Sequence, residues 1–190
     1  MSLPHPAESG HTKKYLKGSK KPPRVFFADL SGGEEVPPVD TESSGHAQFR
    51  LDRHETKLSF TYKLHGAPGS GLTGAPGSHL HCAPKGVNGA LFALMAGATP
   101  GAVDGSTVLS GGFDGDAQAS ATLTAGNIIP TNTCENSIGY KIETIADVAK
   151  ALRNGDVYVN IHSVANPSGE LRGQVYQANQ KGGTYDEGAN

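Results

Sequence analysis

The sequence predicts an all-β domain, an antiparallel Greek-key sandwich or barrel with one short helix. Three observations carry this. Glycine and proline are abundant, 26 and 12 of 190 residues, tryptophan is absent and charged residues are only 18%, a balance that suits many turns. Apolar residues recur at every second position in several short runs, the period of a half-buried strand. Only one stretch carries helical spacing.

Each element follows from local pattern. Residues 25–30 open the folded part as a strand rich in aromatic and β-branched side chains. Residues 33–39 cannot be a central strand, because Pro37 and Pro38 remove two ladder donors. Residues 45–51 alternate. So do residues 57–64, with Leu58, Phe60, Tyr62 and Leu64 on one face, and the turn at 52–55 makes the pair a hairpin. After a Gly/Pro-rich loop at 66–77, residues 78–83 form a strand. Residues 88–95, 106–112 and 117–123 read as three more. Ile145, Val148, Ala149 and Leu152 fall at helical spacing. Thr144 and Asp147 supply a capping box and Asn154-Gly155 the stop. The strand 156–163 follows at once, then a turn at 166–169 and a last strand at 170–176.

The ends differ in kind. Residues 1–24 hold Lys13, Lys14, Lys17, Lys20, Lys21 and Arg24 against Glu8 alone. That arm is polar and aperiodic, so it reads as a disordered basic tail. Residues 178–190 read as a flexible tail. The whole chain carries a net charge of -2, so no global charge points to nucleic acid. No run approaches the apolar length of a membrane span, and no signal-peptide core is visible, which fits a secreted protein in mature form and a cytosolic one alike. Phosphate loops, dinucleotide fingerprints and Ser-His-Asp patterns are absent, and no residue is assigned a catalytic role. Glu34 and Glu35 read as a loop feature, with no partner carboxylate suggested across a cleft.

The candidate site is made of histidines. His79 and His81 are two residues apart and share one face of their strand. In residues 156–163, Val157, Val159 and Ile161 form the apolar face, and Tyr158, Asn160 and His162 the other. If the two strands meet, three imidazoles converge. Three neutral imidazoles without carboxylate or thiolate suit copper or zinc and are poor for magnesium or calcium. Tyr158 and Asn160 are placed to orient a ligand. Arg172 is placed to attract an anion or, with Glu170 on the same face, to pair with a carboxylate or cap loop carbonyls. His46 or His65 is the candidate fourth ligand; His54 reads as a solvated turn residue.

The two cysteines read as one disulfide, Cys82–Cys134, tying a polar loop to the histidine site; two free thiols are the alternative. Closing about 50 residues would stabilise the fold by roughly 4 kcal/mol and implies an oxidising compartment.

Several of these stretches together resemble the CHRD domain, the module repeated in chordin and common in secreted microbial proteins. They are residues 30–39, 45–51, His79-Leu80-His81 with Asn88-Gly89, the 144–155 helix with the strand after it, and residues 166–174. The resemblance covers residues 25–177 and implies an extracellular or periplasmic binding domain. A fainter one is to the copper-zinc superoxide dismutases, Greek-key sandwiches with a His-x-His strand, a later histidine and a C-terminal glycine-flanked arginine. His79, His81, His162 and Arg172 fall in that order. Residues 83–87 lack the zinc ligands of that family, so the resemblance implies a copper-only site, with copper preferred to zinc. Three functions follow as expectations: a binding protein with a mononuclear copper site, a copper-only dismutase-like enzyme, or a metal-free module that binds an extracellular protein or matrix polymer.

Overall fold

A computed structural model describes residues 21–66, 77–96 and 116–178. The strands are β1 (Val25–Ser31), β2 (Ser44–Leu51), β3 (Leu58–His65), β4 (Ser78–Cys82), β5 (Ala90–Ala96), β6 (Asp116–Leu123), β7 (Val157–Ile161), β8 (Leu171–Gln174) and β9 (Tyr176–Gln177). Helix α1 is a single turn, Cys134–Ile138, and α2 spans Ile145–Asn154. The expected strand at 106–112 lies outside the described residues, as do the basic arm up to residue 20 and most of the C-terminal tail.

The strands form one antiparallel sheet in the order β5-β4-β7-β8-β1-β2-β3-β6, with β9 beside β1. The sheet curls into a nearly closed barrel. The segment that follows β6 reaches the opposite edge, where Ile128 bridges Ala93 and the Ile129 amide donates to the Phe92 carbonyl at 2.8 Å. That contact covers an edge strand that would otherwise offer unpaired backbone groups.

Alternation decides what fills the barrel. β2 and β3 bury every second residue: Ala47, Phe49 and Leu51 on one, Leu58, Phe60, Tyr62 and Leu64 on the other. Phe26, Leu30, Leu80, Val157, Val159, Ile161 and Leu171 join them in a continuous core. Removing each large side chain of this kind from water is worth about 1.5–3 kcal/mol. α2 adds Ile145, Val148, Ala149 and Leu152 to that core. The Thr144 hydroxyl accepts from the Asp147 amide, the Asp147 carboxylate accepts from the Thr144 amide, and Gly155 closes the helix at φ 78°.

β7 departs from the simple pattern, because all five of its residues are buried. Its outer face is roofed by three segments: the turn around Gly32–Glu34 with Glu35, the loop 83–89, and the loop 163–170. The Lys85 ammonium meets the Glu34 carboxylate at 2.8 Å, and the Asn88 amide donates to the Val36 carbonyl. The chemistry of the molecule is concentrated under this roof.

Candidate metal centre

Strand register assembles the histidines. In the β4–β7 ladder His79 lies opposite Asn160 and His81 opposite Tyr158. The His162 amide donates to the Gly77 carbonyl, so the pairing extends one residue past β7. On the outer face, His79 and His81 therefore stand beside Tyr158, Asn160 and His162. The ring centre of His79 lies 4.6 Å from that of His81 and 4.6 Å from that of His162. His46 and His65 do not join them. They sit on β2 and β3, beyond β7, β8 and β1 along the sheet.

Backbone carbonyls fix two of the three rings. Nδ1 of His81 donates to the Gly89 carbonyl at 2.8 Å, and Nδ1 of His162 donates to the Pro167 carbonyl at 2.8 Å. A carbonyl only accepts, so Nδ1 carries a proton in both rings; in the neutral imidazole this leaves the lone pair on Nε2. Among the described residues, Nε2 of His162 and Nδ1 of His79 are buried without a hydrogen-bond partner. Burial, reinforced by the neighbouring imidazoles His81 and His162, drives the His79 pKa from 6.5 down to about 2. Burial also lowers His81 to about 4, against the raising effect of its bond to Gly89. Both are neutral imidazoles at physiological pH, the form that binds a transition metal. The rings pack tilted against one another, at 60° and 46°. Among the described residues, no group of three His, Cys, Asp or Glu side chains is placed to hold a metal ion as it stands.

Arg172 is buried beneath the loop 83–89 and caps one of its carbonyls. It is 2% exposed. Its guanidinium donates to Asn88 Oδ1 at 2.8 Å and to the Val87 carbonyl at 2.7 Å, and lies 3.6 Å over the Tyr158 ring. Tyr158 stacks in turn on His81, with ring centres 4.7 Å apart and planes 4° off parallel. The Tyr158 hydroxyl accepts from the Gly89 amide. Arg172, Tyr158 and His81 thus form one stack that pins residues 87–89. Of the two roles the sequence left open, Arg172 takes the carbonyl cap; Glu170 accepts from Thr41 instead. A guanidinium so enclosed is not a surface cation that steers anions.

Sequence reasoning missed Glu35. Its carboxylate accepts from the Asn160 amide at 2.6 Å. Asn160 lies directly across from both His79 and Arg172. Gly169, at φ 131°, seals this contact: a Cβ there would lie 2.7 Å from Glu35 Oε1 and 2.8 Å from Asn160 Nδ2. Only glycine combines that dihedral with that clearance. Burial pushes the Glu35 carboxyl from 4.5 up to about 7, against the lowering effects of Arg172, Asn160 and the Val36 backbone.

A carboxyl raised in the folded state holds its proton more tightly there. Its share of stability is complete below about pH 4.5, falls as pH rises through that window, and is lost above about pH 7. Glu35→Gln retains an oxygen for Asn160 and cannot ionise. The variant is expected to gain about 2–3 kcal/mol over wild type at pH 8 relative to pH 4. Urea unfolding at both pH values checks this; a difference that does not change with pH contradicts it.

The disulfide is present. Cys82 and Cys134 are bonded, with Cα atoms 5.5 Å apart. Cys82 points into the barrel, away from the histidines, and both cysteines are fully buried. Cys134 is not in an exposed loop as the polar residues around it suggested. It opens α1, and its side chain is drawn into the core by the bond to β4.

The model of the CHRD domain matches residues 26–175, from the second residue of β1 to the end of the β8 segment. The chain belongs to the CHRD domain family. No curated protein and no solved structure matches it. The matched span contains the whole described sheet core, the three histidines, the roof over them and the disulfide. CHRD domains are typically extracellular. Among the described residues, no helix is long and apolar enough to cross a membrane.

Proposed function

We propose that this CHRD domain is an extracellular binding protein that holds one mononuclear copper ion on His79, His81 and His162. The observation that carries the reading is a cluster of three adjacent imidazoles, two of them buried, with two ring nitrogens, His79 Nδ1 and His162 Nε2, that have no hydrogen-bond partner among the described residues. Leaving such atoms unsatisfied costs about 1–3 kcal/mol each, and a cation accepting their lone pairs removes that penalty. The donor set, all neutral nitrogen, suits copper or zinc, and copper is preferred on the resemblance to the dismutases. Side-chain rotation within the cluster is required to turn the nitrogens toward one ion. When bound, copper supplies a one-electron redox centre and a Lewis acid.

The chain's own residues have defined parts. The carbonyls of Gly89 and Pro167 hold His81 and His162 in the tautomer that leaves Nε2 for a ligand bond. Tyr158 fixes the plane of His81 by stacking. Asn160 connects the cluster to Glu35, the nearest described carboxyl group hydrogen-bonded to that face. The enclosed guanidinium of Arg172 favours binding over a dismutase-like activity, which needs a cation that substrate can approach. The disulfide and the family's usual setting support secretion. Elemental analysis of protein purified without a histidine tag tests the proposal. About one copper per folded chain is expected; a folded chain with neither copper nor zinc, even after metal supplementation, overturns it in favour of a metal-free module.

A further inference from the structure

On the far side of the barrel, β2, β3 and β6 turn an exposed face to solvent that has no apolar anchor. Cross-strand register sets its side chains in rows. Arg50 lies opposite Ser59, which lies opposite Thr122; Gln48 lies opposite Thr61, which lies opposite Ser120; His46 lies opposite Lys63, which lies opposite Gln118. Rows repeat about every 7 Å along a strand. At the hairpin end this face opens into a cleft of about 420 Å³ lined by Arg50, Leu51, Asp52, Lys57, Ser59, Thr122 and Thr124. That size is in the range of small-ligand pockets, roughly 300–1,000 Å³.

The cleft carries two cations, Arg50 and Lys57, and one carboxylate, Asp52, which the backbone amides of Lys57 and Thr56 hold below the usual carboxylate range and so keep ionised. Asp52 is already committed to its own turn, where its carboxylate accepts from the amides of Thr56 at 2.7 Å and Lys57 at 2.8 Å and from the Thr56 hydroxyl. Glu55 is paired with Arg153. Among the described residues, no ion pair joins Arg50 or Lys57 to a carboxylate. Two cations and the committed Asp52 carboxylate stand beside three hydroxyls, of which those of Ser59 and Thr122 bond each other at 2.9 Å and that of Thr124 donates to Asn127, with further hydroxyls, amides and Lys63 continuing along the sheet. Hydroxyls and amides match the hydroxyl groups of a sugar chain, and the guanidinium matches a carboxylate in bidentate fashion. The rows continue on β1 with Val25 opposite Arg50, Phe27 opposite Gln48 and Asp29 opposite His46; the cleft itself is lined by no aromatic side chain on which a nucleobase would stack.

We propose that the β2–β3–β6 face binds a carboxylate-bearing polysaccharide, with Arg50 and Lys57 holding a uronate in the cleft and the hydroxyl rows carrying the polymer away from it. This site is independent of the histidine cluster. Its test is binding of the full chain to polygalacturonate, with dextran, polyglutamate and a single-stranded oligonucleotide as comparison polymers. Wild type is expected to prefer polygalacturonate to all three, with binding that weakens as salt rises. The exposed pair Arg50→Gln, Lys57→Gln should bind it at least roughly tenfold more weakly while melting at the same temperature. Thr122→Val, which keeps the charge, should reduce the preference for polygalacturonate over polyglutamate. Unchanged binding by the double variant overturns the proposal, because the basic arm, intact in that variant, would then account for the attraction. Equal wild-type affinity for polyglutamate or for the oligonucleotide also overturns it.

Discussion

Replacing Cys82 and Cys134 together by alanine is expected to lower the stability of the domain by about 4 kcal/mol. The bond spans 52 residues, and loop-closure entropy for a loop of that length gives this figure in the chain-entropy model. The closed segment carries β5 and β6 and ends at the first residue of α1. Without the cross-link, the unfolded chain recovers the freedom that the bond denies it. Two buried sulfur atoms are also lost, so the entropy figure is a lower bound if the site does not collapse. Urea unfolding of the oxidised wild type and the double variant measures the effect. A loss under 1 kcal/mol would mean that the loop is ordered in the unfolded state, or that the bond is strained in the folded one.

Arg172→Ala is expected to cost a similar amount, about 3–5 kcal/mol, through different physics. The guanidinium is enclosed, its two hydrogen bonds go to Asn88 and to the Val87 carbonyl, and its plane covers Tyr158. Truncation leaves those acceptors without their donor and removes the positive charge that lowers the Glu35 carboxyl. Breaking a buried charged cluster from one side carries a penalty of this size. Arg172→Lys keeps the charge but not the planar fork or the stack, and should fall between the two. Denaturant unfolding of the three proteins checks the order. An alanine variant as stable as wild type would show that residues 87–89 hold their place without the stack.

Much of the fold was legible because strand parity and capping are local. The alternation in residues 57–64 identified the inner face of β3, and Thr144, Asp147 and Gly155 bounded α2. Parity also placed His79, His81 and His162 on one face, since each lies on or next to a strand whose inner residues are plainly apolar. Two features escaped, and a third stayed open between alternatives, because they depend on loops folding over the sheet. Glu35 follows a short turn in a proline-broken stretch, and only tertiary packing carries it onto Asn160. Arg172 was free by parity to pair with Glu170, but Glu170 precedes β8 and bonds Thr41, so the arginine reaches residues 87 and 88 instead. Cys134 stood among polar residues that conceal a buried helical turn. A glycine at 169 between a proline turn and a charged strand was the one sequence signal of a tight approach.

The central claim, a copper site on three histidines, is tested most directly by titrating the metal-free full chain with Cu(II) and following its electron paramagnetic resonance, beside His81→Ala. Wild type should bind one equivalent with a nitrogen-coupled spectrum. The variant, with the fold intact by circular dichroism, should bind at least about 100-fold more weakly, since even residues behind the ligands are worth 10–100-fold. Equal affinity in both proteins, or no bound equivalent in wild type, would contradict the account.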